Sequence, residues 1–485
     1  MSTPALADFI KAYDVRGLVP DQLNPSVTRA IGAAFAEVIA RRDGASAVVI
    51  GHDMRPSSPE LSHAFADGVR DRGLDVRFIG LASTDQLYYA SGALDLPGAM
   101  FTASHNPARY NGIKLCTTGA RPVGQDSGLA QVRDLAQAIL DGYATLAPGP
   151  TRGSIREEDV LPGYAGFLRS LVDLRGIRPL KVIIDAGNGM AGHTVPAVLG
   201  DGAGLDPLPL QIEPMYFDLD GTFPNHEANP LDPANLVDLQ ERIRRVGADI
   251  GLAFDGDADR CFVIDERGAP VSPSAITALV ARREIARAVA GGAEPQQVRI
   301  VHNVITSQVV PEEIRAAGAE PVRTRVGHSF IKGEMARSAA VFGGEHSAHY
   351  YFRDFWFADT GMLAAMHVLA ALGASTEPLS AIAGHCDRYP ASGEINSTVS
   401  DPTAAMAAVQ DWAEDAYGPV DLDRLDGLTI TRTGPDGQWV WWLNLRASNT
   451  EPLLRLNVEA RDVATMAELR DAVLSIVRGQ PTDRA

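Results

Sequence analysis

The sequence predicts an α/β protein built from three related α/β domains and a smaller C-terminal α+β domain. Its 485 residues suffice for three or four domains. Three segments, at 47–80, 181–200 and 298–324, share one order of features. Each begins with a Val- and Ile-rich run, continues through a polar or Gly-containing turn, and then shows helical spacing of its apolar residues. A pattern of this kind repeated three times is typical of repeated βαβ units.

The end of the chain has a different pattern. Three short β-rich runs, "EINSTV", "LTITR" and "WVWWLNLR", follow one another without long helices between them, and a single amphipathic helix near 463–478 closes the chain. This pattern predicts an antiparallel sheet. The Pro- and Gly-rich stretch "TLAPGPTRGS" separates the first two domains. The predicted domains are 1–150, 151–252, 253–387 and 388–485.

Composition limits the classes of partner. The formal net charge is −18, which argues against a nucleic-acid or anionic membrane surface, since either needs a basic face. The apolar stretch at 362–374 is too short to span a bilayer, and the N-terminus lacks the pattern of a signal peptide. The three cysteines lie far apart and form neither a disulfide framework nor a CxxC site. We expect a reduced, cytoplasmic protein.

The stretch "FDGDADR" at 254–260 is the strongest chemical signal. Asp255, Asp257 and Asp259 alternate, and three carboxylates so close together repel one another unless a cation neutralises them. Hard cations such as Mg²⁺ prefer such oxygens. The alternatives are a solvated acidic turn and an EF-hand calcium loop, but Arg260 stands where that loop needs glycine and the flanks predict strands. Arg260 beside the acids indicates a phosphate near the metal.

A serine in "FTASHNP" raises a separate question. Ser104 and His105 are neighbours in a polar turn, so His105 is no simple base for Ser104, and the Gly-x-Ser-x-Gly elbow of hydrolases is absent from the sequence. The residues alone leave Ser104 as either an ordinary turn residue or a nucleophile of another kind.

Other polar turns are candidates for binding phosphate or sugar. The turn "RASNTEP" offers the donors that a phosphate monoester needs, although a plain polar turn is the simpler interpretation. In "GEHSAH" the alternating polar side chains would share one face of an extended loop and suit sugar hydroxyls, with an edge strand as the alternative. The remaining candidates are Tyr13, Arg16, Lys114, Arg325 and His328. Neither a GxGxxG nor a Walker A motif occurs, so a bound nucleotide is not implied.

Together these stretches resemble the α-D-phosphohexomutases, and within them the phosphomannomutase/phosphoglucomutase group, with an actinobacterial character in "GLASTDQLYYASG". The order "KAYDVRG", "TASHNP", "DGDADR", "GEHSAH", "RASNTEP" covers nearly the whole chain and is highly specific. The resemblance implies four domains with mixed sheets around a central cleft. It also implies interconversion of hexose 6-phosphate and hexose 1-phosphate (mannose, with glucose also expected), supplying mannose 1-phosphate for GDP-mannose and glycan synthesis.

The resemblance further implies a role for each site residue. Ser104 carries the phosphoryl group, one Mg²⁺ per chain is bound by Ser104 and the three aspartates, and hexose 1,6-bisphosphate is intermediate and activator. The implied catalytic residues are Ser104, Lys114, Arg16, His328 and His349. The implied substrate-binding residues are Tyr13, His105, Arg260, Arg325, Glu345, Ser347, Arg446, Ser448, Asn449 and Thr450. We expect small-molecule hexose phosphates as partners, with no nucleic acid or membrane, and a monomer or dimer.

Two alternatives stay open. Phosphoglucosamine mutase belongs to the same superfamily but differs in the loop around His346. A catalytically inactive sugar-phosphate-binding regulator is the alternative from another class, although Ser104 and all three aspartates are present. Some relatives carry a basic residue near the position of Ile305, and this difference bears on the substrate contacts there.

Overall fold

The computed structural model describes residues 4–11, 13–447 and 453–479, which form four domains. Each domain contains its own sheet. Domain IV and most of domain I have their own hydrophobic cores, whereas one large core runs through domains II and III and includes Tyr88, Cys116 and Ala120 of domain I. The predicted division into three α/β domains and one α+β domain is confirmed. No helix among the described residues combines the length and apolar character needed to cross a bilayer.

Domain I contains the largest sheet. Its elements are β1 (Ile10–Lys11), β2 (Asp14–Leu18), α1 (Pro25–Phe35, continued by a π-helical turn at Ala36–Ala40), β3 (Ala47–His52), α2 (Ser58–Asp71), β4 (Asp75–Leu81), α3 (Thr84–Leu94), β5 (Gly98–Phe101), β6 (Tyr110–Thr117), β7 (Arg121–Pro122), α4 (Leu129–Leu140) and β8 (Ile155–Glu157). The strand order is β1-β2-β6-β5-β3-β4-β8, with β7 beside β6. The side chains of Asn24 and Ser83 cap α1 and α3, each accepting a hydrogen bond from the first helical turn.

Domains II and III repeat this arrangement on a smaller scale. Domain II contains α5 (Leu161–Leu171), β9 (Leu180–Asp185), α6 (Ala191–Val198), β10 (Leu210–Met215), α7 (Val237–Val246), β11 (Ile250–Phe254), β12 (Cys261–Ile264) and β13 (Pro270–Val271). Domain III contains α8 (Pro273–Ala290), β14 (Arg299–Asn303), α9 (Val309–Ala316), β15 (Glu320–Thr324), α10 (His328–Ser338), β16 (Phe342–Gly344), β17 (Tyr350–Phe352), β18 (Ala358–Asp359), α11 (Gly361–Gly373) and α12 (Leu379–Gly384). The sheet orders are β10-β9-β11-β12-β13 and β15-β14-β16-β17-β18.

The repeat places three candidate functional loops at equivalent positions. In each sheet the first βαβ pair is parallel, as the sequence predicts: β3 with β4, β9 with β10, and β14 with β15. A third parallel strand then turns back into an antiparallel partner, in β5–β6, β11–β12 and β16–β17. These three turns contain Ser104 (102–109, the serine loop), the aspartate triplet (255–260, the candidate metal loop, called the metal loop below) and Glu345 (345–349, the Glu345 segment).

This topology corrects two predicted boundaries. The boundary at 150 precedes β8, which pairs with β4 in the first sheet, so domain I extends to at least Glu157. The boundary at 252 falls inside β11, whereas β11, β12 and β13 all belong to the second sheet. The aspartate triplet therefore lies in domain II, and domain III begins with α8. Both flanks of the triplet are strands, as predicted, which excludes the EF-hand alternative.

Domain IV is an antiparallel sheet with two helices. It contains β19 (Ile395–Thr398), α13 (Pro402–Tyr417), β20 (Asp421–Asp423), β21 (Leu428–Thr433), β22 (Trp439–Ala447), β23 (Leu453–Ala460) and α14 (Val463–Val477), in the strand order β19-β23-β22-β21-β20. The predicted closing helix is confirmed as α14. Helix α13 contradicts the expectation that long helices are absent between the β-rich runs. Its signals are Asp401, whose side chain accepts bonds from Thr403 N and Ala404 N, and proline in the first turn.

Candidate active site

Ser104 lies in the turn between β5 and β6 with an unusual backbone conformation. Its φ is 50°, in the left-handed region that residues other than glycine seldom adopt. The side-chain hydroxyl of Thr102 accepts a 3.0 Å bond from Ser104 N and supports this conformation. Ser104 is 5% exposed, and its Oγ donates to Asp255 Oδ2 at 2.8 Å. Non-glycine residues with positive φ recur at active sites, where the surrounding structure compensates for the strain.

The aspartate triplet faces Ser104 from domain II. Asp255, Asp257 and Asp259 are buried, and one carboxylate oxygen of each lies within 4.8 Å of the others. The Oδ1 atoms of Asp257 and Asp259 are buried and accept no hydrogen bond from any described residue. Buried carboxylate oxygens without donors are costly unless a cation binds them. The donor set therefore fits a hard divalent cation such as Mg²⁺.

Two basic side chains contact the triplet. Lys114 Nζ lies 2.7 Å from Asp257 Oδ2 and 2.5 Å from Asp259 Oδ2. Arg260 Nη2 lies 2.7 Å from Asp255 Oδ2 and donates to Ser104 Oγ at 3.2 Å. Arg260 therefore contacts both the hydroxyl and the carboxylate to which that hydroxyl donates. A phosphoryl group on Ser104 would lie beside this guanidinium.

Burial and these charges set the protonation of the cluster. Burial, together with the neighbouring carboxylates, raises the pKa of Asp255 to about 7 despite Arg260. Burial alone would raise the pKa of Asp257, but the charge of Lys114 lowers it below its usual range. Burial likewise disfavours the ammonium of Lys114, yet Asp257 and Asp259 raise its pKa well above 10.5. Lys114 is therefore a cation at neutral pH.

His105 and Arg16 complete the surroundings of Ser104. Arg260 Nη2 donates to His105 Nδ1 at 2.5 Å, so that nitrogen is an acceptor and the ring is neutral. Burial, reinforced by Arg260 and Arg16, lowers the pKa of His105 to about 2. Arg16 donates to Asn106 Oδ1 at 2.6 Å and pairs with Asp14 at 2.8 Å. His105 is thus a neutral contact residue, and Arg16 adds positive charge at the edge of the serine loop.

The Glu345 segment adjoins the metal loop but is not extended. Residues 345–349 form a tight turn in which Ala348 N donates to Glu345 O at 3.1 Å and Ala348 has φ 65°. The expectation of three side chains facing one way in an extended loop is therefore wrong. His349 and Ser347 nevertheless stay close, with Nδ1 and Oγ 3.0 Å apart, and His349 Nε2 lies 3.7 Å from Asp259 Oδ1.

The Glu345 carboxylate is held firmly from three sides. Its Oε1 accepts bonds from Asn303 Nδ2 at 3.2 Å and Gly327 N at 3.1 Å, and its Oε2 accepts from Tyr351 OH at 2.7 Å. Ile305, the position where some relatives carry a basic residue, is buried, and its N donates to Asn303 Oδ1 at 3.2 Å. Asn303 thus links the end of β14 to the Glu345 carboxylate.

His328 and Tyr13 meet across the boundary between domains III and I. His328 begins α10, and its ring centroid lies 4.4 Å from that of Tyr13 in an edge-on arrangement. Burial and the charge of Lys332 lower the pKa of His328 well below 6.5, and burial also lowers the pKa of His349. Arg325 stacks over Phe330 at 4.7 Å. Both histidines are therefore neutral.

Of the four predicted phosphate-binding residues of domain IV, Arg446 is the one within the described part of the chain. Ser448, Asn449 and Thr450 lie outside the described residues. Arg446, near the end of β22, lies 3.4 Å from Glu394 and 3.9 Å from Asp426. Arg325 Nε lies 4.0 Å from that same Asp426. The acidic Asp426 thus joins a predicted substrate residue of domain III to one of domain IV.

Sequence reasoning missed several polar residues around the site. Thr84 Oγ1 donates to Asp257 Oδ2 at 2.6 Å, and Lys332 pairs with Asp359 at 2.6 Å. Arg55 is 1% exposed and contacts the backbone of the serine loop. The sequence offered one signal for Arg55: it stands in the turn that directly follows a predicted strand, in "VVIGHDMR". Thr84 gave no comparable signal, since it is 173 residues from Asp257.

Comparison with known proteins agrees with this geometry. The family models for phosphoglucomutase/phosphomannomutase match in order: α/β/α domain I at 8–140, domain II at 162–268, domain III at 272–389 and the C-terminal domain at 394–476. The second and third matches agree with a boundary near 270. The matched regions include Ser104, the aspartate triplet, Glu345 and Arg446.

The similar proteins cover nearly the whole chain. A phosphomannomutase of Salmonella typhimurium is 37% identical over 473 residues, covering 97% of this chain and 98% of its own. A Xanthomonas campestris protein described as phosphohexose mutases is 38% identical over 482 residues, covering 99% and 100%. A phosphoglucomutase/phosphomannomutase family structure from Burkholderia thailandensis has a TM-score of 0.83 at 29% identity, covering 97% and 98%. The chain therefore belongs to the phosphoglucomutase/phosphomannomutase family of phosphohexomutase isomerases.

Proposed function

We propose that this chain interconverts hexose 6-phosphate and hexose 1-phosphate through a phosphoserine at Ser104 and a hexose 1,6-bisphosphate intermediate. The substrates are mannose phosphates and, with similar efficiency, glucose phosphates. Mannose 1-phosphate made in this way would serve GDP-mannose and glycan synthesis. Relatives described as phosphomannomutase support this substrate class.

One observation carries the proposal. The buried hydroxyl of Ser104 lies 2.8 Å from a carboxylate of the triplet and 3.2 Å from the Arg260 guanidinium. These groups come from domains I and II, far apart in the sequence. Phosphoryl transfer depends mainly on positioning and on electrostatic stabilisation, and this cluster supplies both.

The triplet and Ser104 would hold one Mg²⁺. The donor-free Oδ1 atoms of Asp257 and Asp259 support this assignment. When bound, the ion would neutralise the phosphoryl oxygens and polarise phosphorus for attack. Residues of the chain would bind the substrate, stabilise the developing charge and transfer the proton.

The first half-reaction moves the phosphoryl group from the enzyme to the sugar. A hydroxyl of the hexose monophosphate attacks phosphorus, the new P–O bond forms, and the bond from phosphorus to Ser104 Oγ breaks. Arg260 stabilises the charge that develops on Oγ. The second half-reaction reverses these events with the other phosphate, so Ser104 is phosphorylated again and the isomeric monophosphate leaves.

We assign the proton of the attacking hydroxyl to His328. Its ring is neutral and, among the described residues, makes no contact with the triplet, whereas His349 lies beside Asp259 and Lys114 is a cation. Two phosphate groups nearby, one on the sugar and one on Ser104, would raise the pKa of His328 towards the range in which it accepts a proton. Lys114, His349 and Arg16 then contribute charge and orientation.

The substrate contacts follow the same division between domains. Arg446 with Ser448, Asn449 and Thr450 would hold the phosphate that is not reacting. Glu345 and Ser347 would hold the sugar O3 and O4, and the candidates around them are Tyr13, His105 and Arg325.

Mass spectrometry of the intact protein and of its peptides tests the proposal directly. After incubation with glucose 1,6-bisphosphate and Mg²⁺, we expect a phosphoryl adduct mapped to Ser104. Ser104→Ala should lower mutase turnover roughly a thousandfold or more, since the step loses its carrier. Its melting temperature should stay close to that of the wild type, because the other contacts of the loop persist.

Ser170→Ala is the matched control, since Ser170 is an exposed serine that donates only to Phe167 O among the described residues. Turnover near the wild-type rate in Ser104→Ala, with excess bisphosphate present, would exclude Ser104 as the carrier. Glucosamine phosphate as the best substrate would instead favour the phosphoglucosamine mutase alternative.

A further inference from the structure

A buried arginine lies beneath the serine loop. Arg55, in the turn after β3, has no exposed side-chain surface, and Asp53 is equally buried. Arg55 Nε donates to Asp53 Oδ2 at 3.2 Å. Asp53 also accepts bonds from Arg55 N at 3.0 Å and Ser58 Oγ at 2.6 Å, which fixes the carboxylate. The guanidinium therefore projects from a rigid base.

The rest of the guanidinium contacts the backbone of the serine loop. Nη2 donates to Ser104 O at 2.9 Å and Asn106 O at 2.7 Å. Nη1 donates to Pro107 O and Tyr110 O, each at 3.0 Å. A guanidinium has five N–H donors in a planar fork, and here all five are used. Three carbonyls of the serine loop and that of Tyr110, at the start of β6, therefore converge on one cation.

Domain II covers this arrangement from the other side. Phe223 lies with its ring centroid 5.2 Å from Arg55 Cζ, and Gly221 is so close that a Cβ there would come within 2.5 Å of Arg55 Cα. Arg55 is thus enclosed between the serine loop, to which it donates, and these two residues of domain II. Because the four carbonyls point inward, the backbone of 104–110 has little freedom, and the positive φ of Ser104 is maintained.

We propose that Arg55 is a positioning residue for phosphoryl transfer: it holds the serine loop in the conformation that directs Ser104 Oγ towards Asp255 and Arg260. This inference rests on the function proposed above. Arg55 donates to the loop backbone and leaves the hydroxyl itself to Asp255 and Arg260. Its loss should therefore affect the geometry of transfer rather than the binding of the sugar.

Arg55→Lys tests the inference because lysine keeps the positive charge beside Asp53 but lacks the planar fork. Arg72→Lys is the matched control. Arg72 is a buried arginine of the same domain that pairs with Glu37 and donates to the Ala147 carbonyl, remote in sequence from the serine loop. Both variants should lose comparable thermal stability.

The kinetic readout separates the two arginines. At a temperature well below both melting transitions, Arg55→Lys should show a kcat for glucose 1-phosphate lowered about 10- to 100-fold, the scale expected for a misplaced reacting group. Its KM should stay within about threefold of the wild-type value, because Arg55 positions the reacting group and is not expected to contact the sugar. Amide hydrogen exchange across 102–111 should be faster in Arg55→Lys, and unchanged in Arg72→Lys. Arg72→Lys should keep the wild-type kcat.

The outcomes are distinct. A wild-type kcat in well-folded Arg55→Lys would overturn the inference while leaving the phosphoserine mechanism intact. Absence of a phosphoryl adduct on wild-type Ser104 would instead refute the proposed function. If Arg55→Lys does not fold, exchange in the wild type decides: slow exchange at Asn106 and Tyr110 supports a held loop, and exchange at the rate of an unstructured peptide overturns it.

Discussion

At the scale of single residues, charge balance around Ser104 predicts that a phosphorylated serine needs a cation beside it. Three carboxylates face Lys114 and Arg260, so the cluster carries one net negative charge when all groups are ionised. A phosphoryl group on Ser104 would add a charge of about −2. One divalent cation returns the sum to its former value. Cation and phosphoryl group are therefore expected to depend on each other.

Removal of the metal should abolish turnover reversibly. After exhaustive treatment with EDTA, we expect less than about a hundredth of the original mutase rate, because Mg²⁺ supplies the charge stabilisation on which transfer depends. Adding Mg²⁺ back should restore the rate, and Ca²⁺ should inhibit. The control is EDTA already saturated with Mg²⁺. Full turnover after EDTA treatment would contradict the assigned metal site.

If Glu345 holds the sugar O3 and O4, as proposed, the enzyme should discriminate only weakly between mannose and glucose phosphates. Both substrates present O3 and O4 alike and differ only at C2. In the proposed mechanism, the bisphosphate intermediate must also bind in two orientations that exchange O3 and O4. We expect kcat/KM values for mannose 1-phosphate and glucose 1-phosphate within about tenfold, the scale of one neutral hydrogen bond. Glu345→Gln should weaken both substrates by a similar factor.

A ratio of roughly a thousandfold, about 4 kcal/mol, would mean that C2 is read directly. Glutamine is the better substitution than alanine here, because removal of the side chain would leave the buried donors of Asn303, Gly327 and Tyr351 unpaired.

The sequence singled out the proposed reactive groups more readily than the residues that support them. Ser104 and the three aspartates lie within short motifs, and the structure brings them together. Arg55 and Thr84 were missed because their partners are 49 to 55 and 173 residues away. Such pairs arise from the packing of separate elements. A local pattern describes a chemical group, whereas its support comes from the fold.

At the scale of elements, the repeat was readable and the tight turns were not. The βαβ units were predicted because strand and helix periods are local properties. The 252 boundary failed because β11 and β12 form a hairpin that crosses it. The Glu345 turn depends on the positive φ of Ala348, for which alanine gives no sequence signal.

Gly256 tests the approach of the metal loop to the serine loop. A Cβ at this position would lie 2.5 Å from the backbone oxygen of Ser104, which cannot move aside as the end of a flexible side chain can, and 3.5 Å from Ala228 Cβ. Gly256→Ala should therefore separate the triplet from Ser104, lowering kcat/KM about 100-fold and raising the Mg²⁺ concentration needed for half-maximal activity.

Gly166→Ala is the control, since Gly166 lies in α5 with open space around it. It should stabilise the protein by about 0.5–1 kcal/mol without changing activity. A Gly256→Ala enzyme with wild-type Mg²⁺ dependence would show that the two loops have room to spare.

At the scale of the whole molecule, one buried carboxylate joins three domains. Asp85, in α3 of domain I, accepts bonds from Ser83 Oγ at 2.5 Å, from Tyr164 OH of domain II at 2.6 Å and from Thr360 Oγ1 of domain III at 2.6 Å. The adjacent Thr84 donates to Asp257. The junction therefore lies directly behind the metal loop. These hydrogen bonds hold domains I and II, which supply the proposed reacting groups, in a fixed relative position.

Asp85 should make stability fall as pH rises. Burial raises the pKa of Asp85 from 3.8 to about 6, although its hydroxyl donors act in the opposite direction. Between these two values the folded protein retains a proton that the unfolded chain releases, so folding becomes less favourable with increasing pH. The penalty is complete above about pH 6 and amounts to on the order of 3 kcal/mol. Asp85→Asn, which stays neutral, should escape it.

The difference in melting temperature, Asp85→Asn minus wild type, should therefore grow more positive from pH 4.5 to pH 7.5. Other titrating groups are common to both proteins and cancel in this difference. Asp75→Asn is the control. Hydrogen bonds from Ser154 lower the pKa of the exposed Asp75 carboxyl, so the difference in melting temperature for this variant should not rise between pH 4.5 and pH 7.5. A difference for Asp85→Asn that is flat or falling with pH would mean that the three hydroxyls compensate fully for burial. The domains would then be joined by an ionised carboxylate at every pH at which the enzyme works.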